Sequence, residues 1–243
     1  MFKYYTIVGS SQGLFCFYGD DQAAVLWNPS IRKAVTVVVP AREGIYEIVL
    51  GYGICRETAD PKIVKIRYIT REENTESISC IPWQVEVFTL STGAWRPPYT
   101  TTNLPRILIH FEYYQVVTDV AFYLLATDMV AKRNLIISFD ITGEEFREVN
   151  PLDCLAHKSI CNLSMSKLRE SVLVLERGVE DNNPVIYVWM MQDEVPKTFT
   201  KLFSVNSNTP YALLVYVRGF RKTGEPIIEI VKKSFWNRRT CSI

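Results

Sequence analysis

The residues with the widest chemical repertoire lie close together in the third quarter of the chain. Cys154-x-x-His157-x-x-x-Cys161 offers three zinc donors, and Asp153 could supply a fourth. No second paired half accompanies them, so the spacing suits loop residues better than a metal centre. The only other histidine, His110, falls within the apolar and aromatic run 107–114, where a strand residue is expected rather than a general base. Two adjacent acid pairs, Glu72-Glu73 and Glu144-Glu145, raise the question of acid hydrolysis, because glycosidases set two carboxylates across a scissile bond. Both pairs sit in polar, turn-like sequence and read as loop and turn charges. No phosphate-cradling Gly-x-x-x-x-Gly-Lys-Ser/Thr, dinucleotide Gly-x-Gly-x-x-Gly, nucleophile Gly-x-Ser-x-Gly or His-Glu-x-x-His occurs. The sequence assigns no catalytic, cofactor-binding or metal residue, and the expectation is a protein that is not an enzyme and takes no cofactor.

Composition narrows the partners. The 27 Lys and Arg nearly balance 26 Asp and Glu, and a net charge of +1 gives no general field to draw in nucleic acid or an acidic membrane. Residues 218–243 are locally basic, and they read as a solvated face. Aromatic residues interleave with bases in 211–236, which strand packing explains more simply than base stacking. The six cysteines (16, 55, 80, 154, 161 and 241) have no paired spacing, which fits a reducing compartment and a cytoplasmic or nuclear location. The start, MFKYYTIVGSSQGLFCF, lacks the unbroken apolar core of a signal peptide, and no run approaches 18 apolar residues. The sequon at Asn162-Leu163-Ser164 is therefore not expected to be used.

What remains must be a scaffold, and its elements are strands. Runs of about four to eight residues rich in Val, Ile, Tyr, Phe and Thr recur between Gly, Pro, Asn, Asp and Ser clusters, roughly sixteen in all. Among them are 13–17, 62–70, 83–90, 135–140, 185–191, 212–217 and 226–231. No window carries a capped 3.6-residue apolar stripe; the best attempt, 116–131, is β-branched early and broken by Asp119 and Asp128.

One motif repeats. ISFDITGEEFRE around Phe139 has counterparts in VLWNPSIRKAVTV around Trp27, EVFTLSTGAWRP around Phe88 and YVWMMQDEVPKTFTKLF around Trp189. The interval of about 50 to 60 residues is the length of a kelch-type blade. Sixteen runs over four units give the four strands a blade needs. One such sheet cannot cover both of its faces, but radial repetition lets each bury its faces on the next. A β-sandwich with similar hairpins is the competing architecture, and the near-even spacing favours the propeller. Within the hairpins, Asn28-Pro29-Ser30 should turn the chain, with Asn28 bonding the backbone two residues on. Gly93 and Gly143 are expected at positive φ, so Gly143→Val is expected to cost more than ~1 kcal/mol. The second aromatics, Trp95 and Phe146, are expected at the far ends of their hairpins, packed between sheets.

Taken together, the motifs resemble the F-box-associated domain of the large plant F-box protein family. The resemblance rests on Gly9-Ser10-Ser11-Gln12-Gly13-Leu14 at the opening and on Leu26-Trp27-Asn28-Pro29-Ser30-Ile31-Arg32-Lys33, its most specific element. Gly51-Tyr52-Gly53 and the strand after Asp60 follow, then the Val85 and Ile136 hairpins, then Val188-Trp189-Met190 with Phe199-Thr200-Lys201-Leu202, covering residues 9–203. The central VVTDVAFYLLATD departs from the family pattern.

The resemblance implies one domain over 1–243. The fold class expected is all-β, a kelch-like β-propeller of four-stranded antiparallel blades, with about four to five blades in an incomplete ring whose closing strands are missing. It also implies a non-catalytic protein-interaction module that selects a client protein for ubiquitin transfer by an SCF-type ligase. The segment 71–79 is a candidate client-contact loop. Skp1 binding is not expected, because no F-box precedes Gly9; neither is binding to nucleic acid or membrane. The alternatives are a truncated family member without a ligase role and a glycosidase-type propeller with acids around its channel.

Overall fold

The computed structural model of the chain describes residues 5–40, 46–69, 83–99, 108–149, 153–192, 197–206, 212–221 and 223–232. Its strands form four antiparallel four-stranded sheets, each with its strands in sequence order, followed by a two-stranded hairpin. Blade 1 contains β1 (Tyr5–Ser11), β2 (Leu14–Gly19), β3 (Ala23–Asn28) and β4 (Lys33–Val38). Blade 2 contains β5 (Tyr46–Ile54), β6 (Pro61–Ile69), β7 (Gln84–Thr89) and β8 (Ala94–Arg96). Blade 3 contains β9 (Ile109–Val117), β10 (Ala121–Asp128), β11 (Arg133–Asp140) and β12 (Glu145–Val149). A one-turn helix, Asp153–Ala156, and a 3-10 turn, Ile160–Asn162, lead into blade 4: β13 (Leu163–Leu168), β14 (Ser171–Glu180), β15 (Asn183–Met191) and β16 (Phe199–Asn206). The hairpin is β17 (Ala212–Phe220) and β18 (Pro226–Lys232). Among the described residues every strand run named from the sequence coincides with a strand, and the 116–131 stretch, the best attempt at a helix, straddles β9 and β10.

The cores lie between blades, as radial stacking requires. Leu26 and Cys16 of blade 1 share a cluster with Leu50, Tyr52, Ile63 and Phe88 of blade 2. Val64, Ile66 and Val87 of blade 2 pack with Phe122, Leu124 and Phe139 of blade 3. Leu125 and Ile136 of blade 3 pack with Val172 and Val174 of blade 4, whose Leu173 and Leu175 meet Val217 and Phe220 of the hairpin. The period of two is visible along single strands: in β6, Ile63 faces blade 1 while Val64 and Ile66 face blade 3. β6 is buried on both faces along its whole length, although Lys62, Lys65 and Arg67 interrupt its apolar residues.

Trp27, Phe88, Phe139 and Trp189 all stand in the third strand of their blades. The second aromatics differ from expectation. Trp95 and Phe146 lie directly opposite Phe88 and Phe139 across the β7–β8 and β11–β12 ladders, not at the far ends of the hairpins. The ring centroids are 5.5 and 4.7 Å apart, the spacing of a cross-strand aromatic pair.

The turns after the third strands are built alike. The amide of Ser30 donates to Asn28 Oδ1 at 3.0 Å, as anticipated, and Asp140 Oδ1 accepts from Thr142 and Gly143 at 2.9 and 2.7 Å. In each, the residue four places after the strand's last residue takes the left-handed conformation: Arg32 (φ 53), Gly93 (φ 65) and Glu144 (φ 55). Gly93 meets the expectation and Gly143 does not. Blade 3 counts its turn from Asp140, so the left-handed position falls one residue past its glycine. A Cβ on Gly143 would meet Asp140 Oδ1 at an ordinary 3.6 Å, whereas Gly93 has open space but positive φ. Gly93→Val is therefore expected to cost on the order of 1–2 kcal/mol of backbone strain, and Gly143→Val no more than about 0.5 kcal/mol. Urea unfolding of the two variants checks this; an equal loss for Gly143→Val would refute the turn geometry.

Candidate functional site

Alternation of strand direction divides the connections between two ends of the molecule. One end carries the short turns at 12–13, 29–32, 55–60, 90–93, 118–120, 141–144, 169–170 and 221–225. At the other end are the turns 19–22, 129–132 and 181–182 and, among the described residues of the links between blades, 39–40 and 153–162, whereas 97–99 lie beside Glu144 at the short-turn end.

The short-turn end is fastened by a buried ionic group. Glu144 has no exposed side-chain surface and joins two blades. Its Oε1 accepts from Lys62 Nζ at 2.9 Å and from Arg96 Nη2 at 2.6 Å, and its Oε2 accepts from Arg96 Nη1 at 2.7 Å and from the Tyr99 amide at 3.0 Å. Lys62 also donates to the carbonyl of Ile141 at 2.8 Å, and the Arg96 guanidinium lies 3.9 Å from the centre of the Tyr99 ring. Burial pushes the Glu144 carboxyl upward, but hydrogen bonds from Arg96, Lys62 and the Tyr99 amide outweigh it and hold the group below the usual carboxylate range. The same bond, against the opposing effect of burial, raises Arg96. An acid whose lone pairs and charge are so engaged is a structural clamp, not a proton donor. Reading Glu144 as a turn charge is thus corrected: it occupies the turn, but its side chain enters the interface between blades 2 and 3. Its neighbour Glu145 pairs with Arg147 at 3.5 Å.

An amide with no local sequence signature, Gln115, lies between the inner strands β1, β5 and β9. Gln115 sits where β9 loses register with β10, and its Oε1 accepts from the Tyr52 amide at 3.1 Å. A Cβ on Gly9 would overlap the Gln115 side chain, so glycine there lets β1 close against it.

At the opposite end a cleft of about 360 Å³ opens between blades 1 and 2. Its walls are Thr6, Ile7 and Val8 of β1, Tyr18 to Asp20 and Gln22 around the β2–β3 turn, and Ile48, Val49 and Leu50 of β5. A bulge between Ile7 and Gly9 shifts the β1–β2 register and leaves Ile7 53% exposed. The rim is braced by Tyr5, whose hydroxyl donates to Asp21 Oδ2 at 2.6 Å, while Asp21 Oδ1 accepts from the Ala23 amide.

The other residues with chemical potential are dispersed. Cys154, His157 and Cys161 are exposed in the connection between blades 3 and 4, and the side chain of Asp153 lies outside the described ones. Among the described residues, no group of three His, Cys, Asp or Glu is placed to hold a metal ion. His110 is in β9, opposite Thr127 of β10. Cys16 is packed in the core, where burial pushes its thiol up to about 12. Glu72, Glu73 and the 71–79 segment lie outside the described residues. In the basic final segment, Arg218 pairs with Glu229 and Arg221 with Glu225. No helix among the described residues is long and apolar enough to cross a membrane.

Comparison with known proteins agrees with this architecture. The chain is 23% identical over 229 residues to the F-box protein CPR1 of Arabidopsis thaliana, covering 87% of this chain and 55% of that protein. Two solved oligogalacturonate lyases align at a TM-score of 0.45, one in complex with manganese at 12% identity and one from Vibrio parahaemolyticus at 9%. They cover 87% and 88% of this chain and 54% of each lyase, and likeness of that degree transfers no activity. The chain thus spans about half the length of the relatives it matches. The model of the F-box associated beta propeller domain matches residues 3–234, beyond the 9–203 carried by the motifs at both ends. With nearly its whole length matched and its sheets stacked blade on blade, the chain belongs to the F-box associated β-propeller domain family.

Proposed function

We propose that this chain is a non-catalytic protein-interaction module, the part of an F-box receptor that selects a client protein for ubiquitin transfer by an SCF-type ligase. The observation that carries the reading is how the charged groups are used. The most deeply buried acid among the described residues, Glu144, is committed to holding blades 2 and 3 together, and Gln115, between the inner strands β1, β5 and β9, is bonded to the Tyr52 backbone. What is left for function is the end bearing the turns 19–22, 129–132 and 181–182, presented on a rigid scaffold. Its partners would be a client protein and, through an F-box outside this sequence, Skp1.

Affinity capture with the intact domain, compared with a variant whose 71–79 loop is replaced by Gly and Ser, tests the reading. A client protein is expected with the intact domain and not with the variant, and capture must be reproduced with the purified client. Absence of any client, or turnover of a polysaccharide by the purified chain, would count against it. The chain 1–243 mixed with Skp1 is expected to elute separately from it in size-exclusion chromatography; a stoichiometric complex would overturn that expectation.

A further inference from the structure

We propose that two copies of the 243-residue chain pair through the outer face of blade 1, sheet against sheet. The stack itself shows which face that is. In three blades the third-strand aromatic points at the blade before it: Phe88 packs with residues of blade 1, Phe139 with residues of blade 2, and Trp189 against residues of blade 3. Trp27 is the remaining member of the series. Its neighbour Leu26 faces blade 2, so Trp27 points the other way, onto a face where no core cluster of the described residues continues. Blade 1 thus presents the surface that each later blade buries on its predecessor.

The strand register shows what the face is made of. One row across it runs Ile7, Phe17, Val25 and Thr36, and the next runs Ser10, Phe15, Trp27 and Ala34. Neither row contains a charge. A sheet with one face in water carries polar residues on that face, whereas here the rings of Phe15, Phe17 and Trp27 lie 5.9 to 6.3 Å from one another and form an apolar centre. Around it Ile7 is 53% and Val38 74% exposed, and Ala34 and Thr36 are exposed as well. The same face of a second copy suits it. Two uncharged sheets meet without repulsion or a stranded ion, and a two-fold contact covers both faces at once. Head-to-tail association would need the far face of the β17–β18 hairpin, which is two strands wide against four. Nucleic acid and anionic lipid call for Lys or Arg, which neither row supplies. Four strands about 4.8 Å apart, with six residues in each of β2, β3 and β4, outline roughly 400 Å². That is less than the ~800 Å² per partner of a stable complex, so the pair is reversible and forms at micromolar concentration.

Sedimentation velocity of the wild-type chain from about 1 to 200 µM, a range that brackets micromolar dissociation constants, tests this. A monomer–dimer equilibrium is expected. Ile7→Glu and Thr36→Glu stand at the two ends of one row, and each should weaken the dimer about 10-fold or more by setting like charges in the contact. Both residues are exposed, so thermal melts should stay at the wild-type midpoint. Val120→Glu puts the same charge on an exposed aliphatic at a turn of blade 3 and should leave the equilibrium at its wild-type value. A wild type that stays monomeric throughout the range overturns the proposal, whatever else covers the face. So does a mass that climbs past two chains, the mark of head-to-tail association. A dimer that Val120→Glu weakens as much as Ile7→Glu, or that Ile7→Glu and Thr36→Glu leave intact, is held by another surface and overturns it too. No client enters the measurement, so the module reading stands or falls separately.

Discussion

Replacing Glu144 by Gln is expected to destabilise the fold by about 3–5 kcal/mol at neutral pH, the usual cost of removing one partner from a buried ion pair. The change leaves Lys62, almost wholly buried, and Arg96, partly buried, without their counter-charge at the seam between blades 2 and 3. Lys62→Met in the same background should cost less than the two single losses combined, because one of the two stranded charges is then gone. The pH dependence has a definite sign. The carboxyl is held below its ordinary value in the folded protein, so its contribution is complete above the ordinary carboxylate range and is lost as pH falls through the depressed folded value. The gap between wild type and Glu144→Gln in urea titrations should therefore be wide at pH 7 and narrow in acid. A gap that stays constant with pH would show that the ionised carboxylate is not what holds the seam.

Glu144 also marks where sequence reasoning reaches its limit. Strands, hairpins and blade repeat were legible because each is written locally: apolar runs between turn residues, and one aromatic per unit at an even interval. The Asn28 turn was legible for the same reason, since its hydrogen bond closes within two residues. Whether an acid in a turn is solvated or buried depends instead on what the next blade brings against it. For Glu144 the partners are Lys62 and Arg96 from another blade, contacts that no local pattern records. The one available signal was that Glu144 follows Gly143, so a non-glycine residue takes the left-handed position, at roughly 1–2 kcal/mol of strain. The cleft was invisible for a similar reason. Its walls come from β1, the β2–β3 turn and β5, which meet only when blades 1 and 2 are stacked. Gln115 gave no signal at all, because its neighbours in β1 and β5 meet it only when three blades are assembled.

The Gly51-Tyr52-Gly53 motif shows the same contact between blades from the apolar side, and it supports the second large effect: Gly51→Ala is expected to cost about 2–3 kcal/mol. In β5 the two glycines face blade 3, while Tyr52 between them faces blade 1 and is fully buried. A methyl on Gly51 would overlap the ring of Phe122, which is itself fully buried and stacked on Phe139 at 5.2 Å. The ring has packed atoms behind it and cannot withdraw without opening the core of blades 2 and 3. A methyl on Gly53 would meet the Cδ1 tip of Ile141, which can rotate aside, so Gly53→Ala should cost distinctly less although the overlap drawn on the rigid structure is as severe. Phe122→Leu should be destabilising alone yet recover part of the loss when combined with Gly51→Ala, because the smaller side chain vacates the space the methyl needs. No loss for Gly51→Ala, or strictly additive behaviour of Gly51→Ala and Phe122→Leu, would mean that blade 3 does not lie against the glycine face of β5, and the stacking order of the blades would have to be abandoned; equal losses for the two glycine variants would show only that Ile141, itself buried in the same cluster, does not turn aside.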